Sequence, residues 1–218
     1  MKMVLTKKIC VLFVAAMFVA MSSCKKDEPV IDNPVVDNPL VNVIEININT
    51  TAADVAKAEL LNAQGDLIAE IATATYQNNK FVLNLPAELD ASMLSYATEG
   101  ITDSRISISN NQAKSAGMQI AAYKNDILVG YLVMSEKTTQ ASTKEQVFHY
   151  ADRDFTITGD YYDYYSGFVM HQIYDVHLKK GWNRVYAIAN SVMTTEGITY
   201  TIRMTTAAQA GLAWMIVP

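Results

Sequence analysis

Residues 117–134 read GMQIAAYKNDILVGYLVM: two apolar runs, 117–123 and 127–134, separated by Lys124-Asn125-Asp126. Asn and Asp accept the backbone conformations of a tight reversal, so this stretch predicts a β-hairpin turning at Lys124-Asn125-Asp126. The same logic extends outward. In VIEININ, 43–49, Ile44, Ile46 and Ile48 alternate with Glu45, Asn47 and Asn49. A period of two places the isoleucines on one face of a strand and the polar residues on the other. KFVLNLP is similar, with Phe81, Val82, Leu83 and Leu85 and a stop at Pro86, and SRISIS puts Ile106 and Ile108 together. Further strand-like runs begin at Val147 (VFHYA), Phe155 (FTIT), Gly167 (GFVMHQIYDVHL), Asn183 (NRVYAIANSVM), Ile198 (ITYTIRM) and Leu212 (LAWMIV). Thr194-Thr195-Glu196-Gly197 reads as the turn between the run at 183 and the run at 198.

Helical signal is sparse. PAELDASMLSYA, 86–97, combines an initial proline with Leu89, Met93 and Leu94 at helical spacing and is the best short-helix candidate. Residues 50–66 hold enough alanine for a helical turn, but AELLNAQGDLIAEIA reads equally as two strands about Gln64-Gly65. About a dozen short strands with frequent turns predict an all-β fold, an antiparallel β-sandwich or barrel-like domain, over residues 42–218. The polar tract EKTTQASTKEQ, 136–146, is a possible joint between two β subdomains, a single larger sandwich with one long loop being the alternative.

The start of the chain has a different character. MKMVLTKKI carries Lys2, Lys7 and Lys8 and no acid, and Cys10–Ala20 is wholly apolar. This is the form of a secretory signal peptide, and the apolar run is shorter than the roughly 20 residues needed to span a bilayer. It ends at Ser22-Ser23-Cys24, then Lys25-Lys26-Asp27-Glu28. Residues 20–24 resemble a bacterial lipobox, with Met21 where leucine is usual, and KKDE resembles the lysine-then-acid export signal of Bacteroidota surface lipoproteins. The resemblance implies cleavage after residue 23, acylation of Cys24, attachment to the outer membrane and exposure at the cell surface. Pro29, Pro34 and Pro39, within PVIDNPVVDNPLVN, make the following residues an extended spacer up to residue 41.

Composition narrows the chemistry. Cys10 and Cys24 are the chain's two cysteines, so the expected domain 42–218 has no thiol for disulfides, zinc or nucleophilic catalysis. The whole chain carries 17 Lys+Arg against 22 Asp+Glu; loss of the three N-terminal lysines leaves 14 against 22. A net charge near −8 without a basic patch argues against nucleic acid as a partner. No G-x-S-x-G or cofactor motif is present, and the expectation is a protein that is not an enzyme and holds no cofactor.

His171, Asp175 and His177 share one face of a strand, but His171 and His177 stand about 20 Å apart along it, too far to share a metal ion. A zinc site would require a third ligand from elsewhere, such as His149, and none is assigned. GDYYDYYSG, 159–167, has four tyrosines in five positions, more than one strand face can bury. Read as a loop, it makes Tyr161, Tyr162, Tyr164 and Tyr165, with His171 downstream, the candidate ligand-binding residues, because exposed rings stack on sugars, aromatic ligands or proteins. The bland alternative is a loop that merely caps the end of the domain. LKKGWNRVY, 178–186, resembles a segment recurring near the C-termini of small Bacteroidota lipoproteins of uncharacterised function; it implies a structural motif, with Trp182 and Trp214 as core anchors, and no site. The expected role is a surface-displayed, non-catalytic binding module for a glycan, nutrient, or host or partner surface. The alternative is a structural or accessory subunit of an outer-membrane complex or surface appendage.

Overall fold

The computed structural model describes residues 40–218 apart from positions 100, 102, 137–141 and 196. The expected signal peptide, Cys24, most of the spacer, the middle of the 136–146 joint and Glu196 of the 194–197 turn lie outside the described residues. Fourteen strands account for most of the described chain, in two sheets that do not close into a barrel. β1 (Val43–Asn47) and β4 (Lys80–Asn84) form a two-stranded antiparallel sheet. The large sheet contains β2 (Val55–Leu61), β3 (Leu67–Thr75), β5 (Ser95–Tyr96), β6 (Ser107–Ile108), β7 (Lys114–Lys124) and β8 (Ile127–Glu136). It continues with β9 (Ser142–Ala151), β10 (Phe155–Tyr165), β11 (Phe168–Leu178), β12 (Gly181–Thr194), β13 (Gly197–Thr205) and β14 (Leu212–Val217). Its order is β3-β2-β7-β8-β9-β12-β13-β11-β10-β6, with β5 added to β7 and β14 to β8. β8 and β9, on either side of the polar joint, pair directly at Met134–Gln146 and Ser135–Glu145.

The hairpin read from residues 117–134 is β7–β8, and both Asn125 (φ 50°) and Asp126 (φ 62°) adopt the left-handed conformation of a two-residue reversal. Residues 50–66 resolve into strands rather than helix. Asn62 Oδ1 accepts from the N–H groups of Gln64 and Asp66, and Gly65 takes φ 85°, which turns β2 into β3. The helix expected over 86–97 shrinks to one 3-10 turn, Ala91–Met93, capped by Asp90 Oδ1 accepting from the Ser92 N–H. It stops there because Leu94 turns extended and, with Met93, packs on the core. The tyrosine-rich stretch read as a loop is the end of β10, and the chain reverses only at Ser166-Gly167.

The sheet also departs from an all-antiparallel pattern. β11 and β12 meet at Lys179-Lys180 and then splay, and β13 fills the gap, parallel to β11 and antiparallel to β12. The fully buried Asn183 ties the apex together: its Oδ1 accepts from the Lys179 N–H, and its Nδ2 donates to the Lys179 and Gly181 carbonyls.

The main core lies between the small sheet and the β2, β7, β9 and β12 face of the large one. Ile44, Ile46, Phe81 and Leu83 come from the small sheet and meet Leu60, Phe148 and Trp182. Alanines at 56, 58, 116 and 122 leave room for the larger rings. Trp182 is completely buried, packs edge-on to Tyr150 with ring centres 5.3 Å apart, and donates Nε1–H to the Pro86 carbonyl. Val41 joins this core and donates its N–H to the Trp182 carbonyl, so the packed region begins within the segment read as spacer. Trp214 is less buried than the expected core anchor, half-exposed with one side on the same core.

Gly130 is where β14 crosses closest to β8: its φ is 148°, and an added Cβ would collide with the Val217 carbonyl. Gly130→Ala should therefore loosen β14 and cost on the order of 1–3 kcal/mol, seen as a lower Tm and faster amide exchange across residues 212–217.

Candidate functional site

A strand has two edges, and β7 gives one of them to β2 and β5. Its other edge pairs with β9 over Ser115–Met118 and with β8 over Ala121–Lys124. Between those stretches neither partner reaches it, because β8 rejoins β9 only at Met134 and Ser135. Behind this opening, the inward face of β9, β12, β13, β11 and β10 curves round a cavity of about 490 Å³. This size suits a small organic ligand.

Strand parity builds the wall. β9 presents Glu145, Val147 and His149; β12 presents Val185, Ala187 and Ala189. β13 adds Ile202 and Met204, β11 adds Tyr174 and Val176, and β10 adds Ile157 and Tyr161. The ladder pairs Glu145 with Ala187 and Ala187 with Met204, so Glu145 stands in a row of small and apolar neighbours. Gly117 of β7 faces His149, and an added Cβ there would touch only the ring Cε1, at 3.6 Å. Among the described residues, the lining contains neither lysine nor arginine.

Two side chains in this wall lack partners. Among the described residues nothing hydrogen-bonds or pairs with the Glu145 carboxyl or the His149 ring, although both line the cavity. Burial pushes the Glu145 carboxyl up from its ordinary value and the His149 imidazolium down to about 4. His149 retains some accessible surface because it lines the cavity, yet protein packed around it still penalises the charged ring. Both groups are thereby biased toward their neutral forms.

One end of the cavity is held by a polar cluster. Arg105 stacks over Tyr161, with Cζ 4.1 Å from the ring centre. It donates from Nη2 to Asp103 Oδ2 (2.6 Å) and Asp163 Oδ1 (2.7 Å), and from Nη1 to the Tyr162 carbonyl (2.9 Å). The guanidinium holds the Asp103 carboxyl down at about 2. Tyr161 lies parallel to Tyr174, centres 6.4 Å apart, and burial raises both phenols. The Tyr174 hydroxyl donates to Gln172 Oε1, and Gln172 Nε2 donates to Asp163.

The residues singled out from sequence divide between the faces. Tyr161 lines the cavity; Tyr162 and Tyr164 stand exposed on the opposite face of β10. Tyr165 shares the inward face but lies beyond the cavity, stacked on Phe168 at 4.7 Å. His171 is on the outward face, stacked on Tyr162 at 4.0 Å and hydrogen-bonded through Nε2 with Asp160 Oδ1. Tyr162 and His171 cover one face of each other's rings, while Tyr164 and Tyr165 remain exposed. His177 bonds with Asp175 at 3.0 Å on the same outward face. Among the described residues, no three His, Cys, Asp or Glu side chains converge as metal ligands.

Glu145, Tyr174 and Arg105 escaped the sequence reading. Glu145 and His149 do fall on one face of a strand by parity, but nothing local distinguishes that face from a solvated one. Comparison with protein families, curated proteins and solved structures finds no match to this chain.

The low His149 value has a consequence for stability. Below the ordinary histidine value near 6.5 the unfolded ring takes up a proton that the folded one refuses until about pH 4, so stability falls with pH across that window. The full loss is on the order of 3 kcal/mol. Glu145 works in the opposite sense, its raised carboxyl favouring the folded state as pH falls toward 4.5. His149→Leu should lose clearly less Tm than the wild-type protein between pH 7 and pH 4; equal losses would remove His149 from the account.

Proposed function

We propose that this chain is a lipid-anchored, surface-displayed binding protein that takes a small, mainly apolar molecule into the cavity between β7, β9 and the β12–β10 wall. The observation that carries this reading is the cavity itself. Protein interiors close-pack, and an apolar volume of this size left unfilled forgoes contacts that would stabilise the fold. The lipobox-like residues before Cys24 and the KKDE run support the anchor and the surface location.

A glycan platform on the tyrosines has weaker support, because Tyr162 and His171 cover one face of each other's rings. The accessory-subunit reading has its own supporting feature. Among the described residues β3 pairs only with β2, and it leaves Leu67 and Ile68 exposed along a free edge.

The cavity is tested with N-phenyl-1-naphthylamine, an uncharged fluorescent probe. The wild-type protein should bind it saturably near one per chain. Gly117→Leu has no left-handed backbone to disturb and projects into the cavity toward His149, so it should abolish binding while leaving Tm unchanged or raised. Probe binding that survives in a folded Gly117→Leu protein would place the ligand elsewhere. The anchor is tested separately: Cys24→Ala should move the protein from the membrane fraction to the soluble fraction and abolish incorporation of labelled palmitate.

A further inference from the structure

The cavity wall restricts the chemistry of the ligand as well as its size, a restriction that matters only if the cavity is the binding site proposed for it. Glu145 and His149 lie four residues apart on the inward face of β9, about 13 Å along the strand, with Val147 between them. A buried polar side chain without a partner is expensive, and most folded proteins satisfy such groups with hydrogen bonds. Here the two groups line the same cavity, and no hydrogen bond from the described protein reaches either. Both are half-buried where they border the cavity, so their hydrogen-bonding capacity is open to water or to a molecule bound there.

We infer that Glu145 and His149 are ligand-recognition residues that select an uncharged, largely apolar molecule carrying a hydroxyl- or amide-type group. Three observations support this class. The surrounding wall is mainly aliphatic and aromatic, with Val147, Val176, Ile202, Met204 and Tyr161 on it. An anionic head finds no lysine or arginine among the described lining residues, and Arg105, stacked on the lining Tyr161, is already shared between Asp103 and Asp163. Of the other carboxylates bordering the cavity, Asp103 is already engaged by Arg105 and Glu99 is solvent-exposed; a cationic head beside Glu145 would need that carboxyl ionised amid apolar neighbours, where burial of an ion pair is costly. A neutral hydroxyl requires neither: a neutral imidazole both donates and accepts, and a carboxyl accepts from a hydroxyl in either protonation state.

The test is displacement of N-phenyl-1-naphthylamine from the purified full chain at pH 7 by three molecules with the same chain and different heads: 1-decanol, decanoate and decylammonium. Decanol should displace the probe at about a tenfold lower concentration than either ion. Glu145→Leu/His149→Leu, confirmed as folded by circular dichroism, should keep the probe and bind decanol about tenfold more weakly, as expected for a lost hydrogen bond in an apolar site. Glu145→Gln retains a neutral hydrogen-bonding head and should hold decanol within about twofold; a tenfold fall there would mean that a carboxylate charge does the binding and would overturn the assignment. Decanoate or decylammonium competing as well as decanol would overturn it too, as would unchanged decanol binding in the double leucine variant. Failure of the wild-type protein to bind the probe at all would instead remove the cavity reading on which the assignment stands.

Discussion

Where β9 and β12 pair over residues 146–151 and 181–186 they are covered on both faces, and the rest of the molecule is arranged around that constraint. On one side Phe148, Tyr150 and Trp182 pack into the main core beneath the small sheet; on the other, Val147, Val185 and Ala187 form the second core and the cavity wall. A polar group on such a covered stretch must find a partner or remain open to a cavity. Asn183 finds partners in the backbone of the Lys179–Gly181 turn. Among the described residues, Glu145 and His149 find none and border the cavity.

Trp182 fixes the geometry at the start of β12. Its ring lies in the main core, its Nε1 bonds to Pro86 in the segment that succeeds the small sheet, and its carbonyl accepts from Val41. Three distant parts of the chain are thereby tied at one residue, without any disulfide. Removing so large a buried ring would cost about 3–5 kcal/mol, a large fraction of the stability of an ordinary domain. From this fixed point β12 runs out against β9 while β11 diverges, and the wedge strand β13 keeps the widened sheet hydrogen-bonded throughout. The ladder is satisfied, yet the wall it forms is wide and curved enough to enclose space.

Much of the architecture was legible because it depends on local chemistry. The Asn125-Asp126 reversal, the alternation of Ile44 and Ile46, and the run Phe81, Leu83, Leu85 each specify a conformation and a buried face within a few residues. The short-helix expectation over 86–97 failed for a physical reason: three residues of helix suffice to satisfy the Asp90 cap, after which burial of Leu94 and pairing of Ser95 with β7 outweigh helical spacing. The tyrosine-rich stretch misled in a related way. Crowded aromatics suggested a loop, but a strand with one face buried and one exposed accommodates four tyrosines simply by sending them to both sides.

By itself, the sequence determined that the described chain is built of strands, where most of them turn, and that the folded part lacks cysteine; each comes from period-two patterning, turn chemistry or composition. The N-terminal pattern supplied the expectation of an anchor on the same local grounds. Only the tertiary structure decided that β13 lies parallel to β11, that β7 changes partner between β9 and β8, and that Glu145, His149, Tyr161 and Tyr174 border one cavity. Strand order and partner exchange are set by contacts between residues far apart in the chain, and whether the inward face of a strand meets a packed core or a cavity depends on what stands opposite it. Periodicity along a single strand carries no record of that.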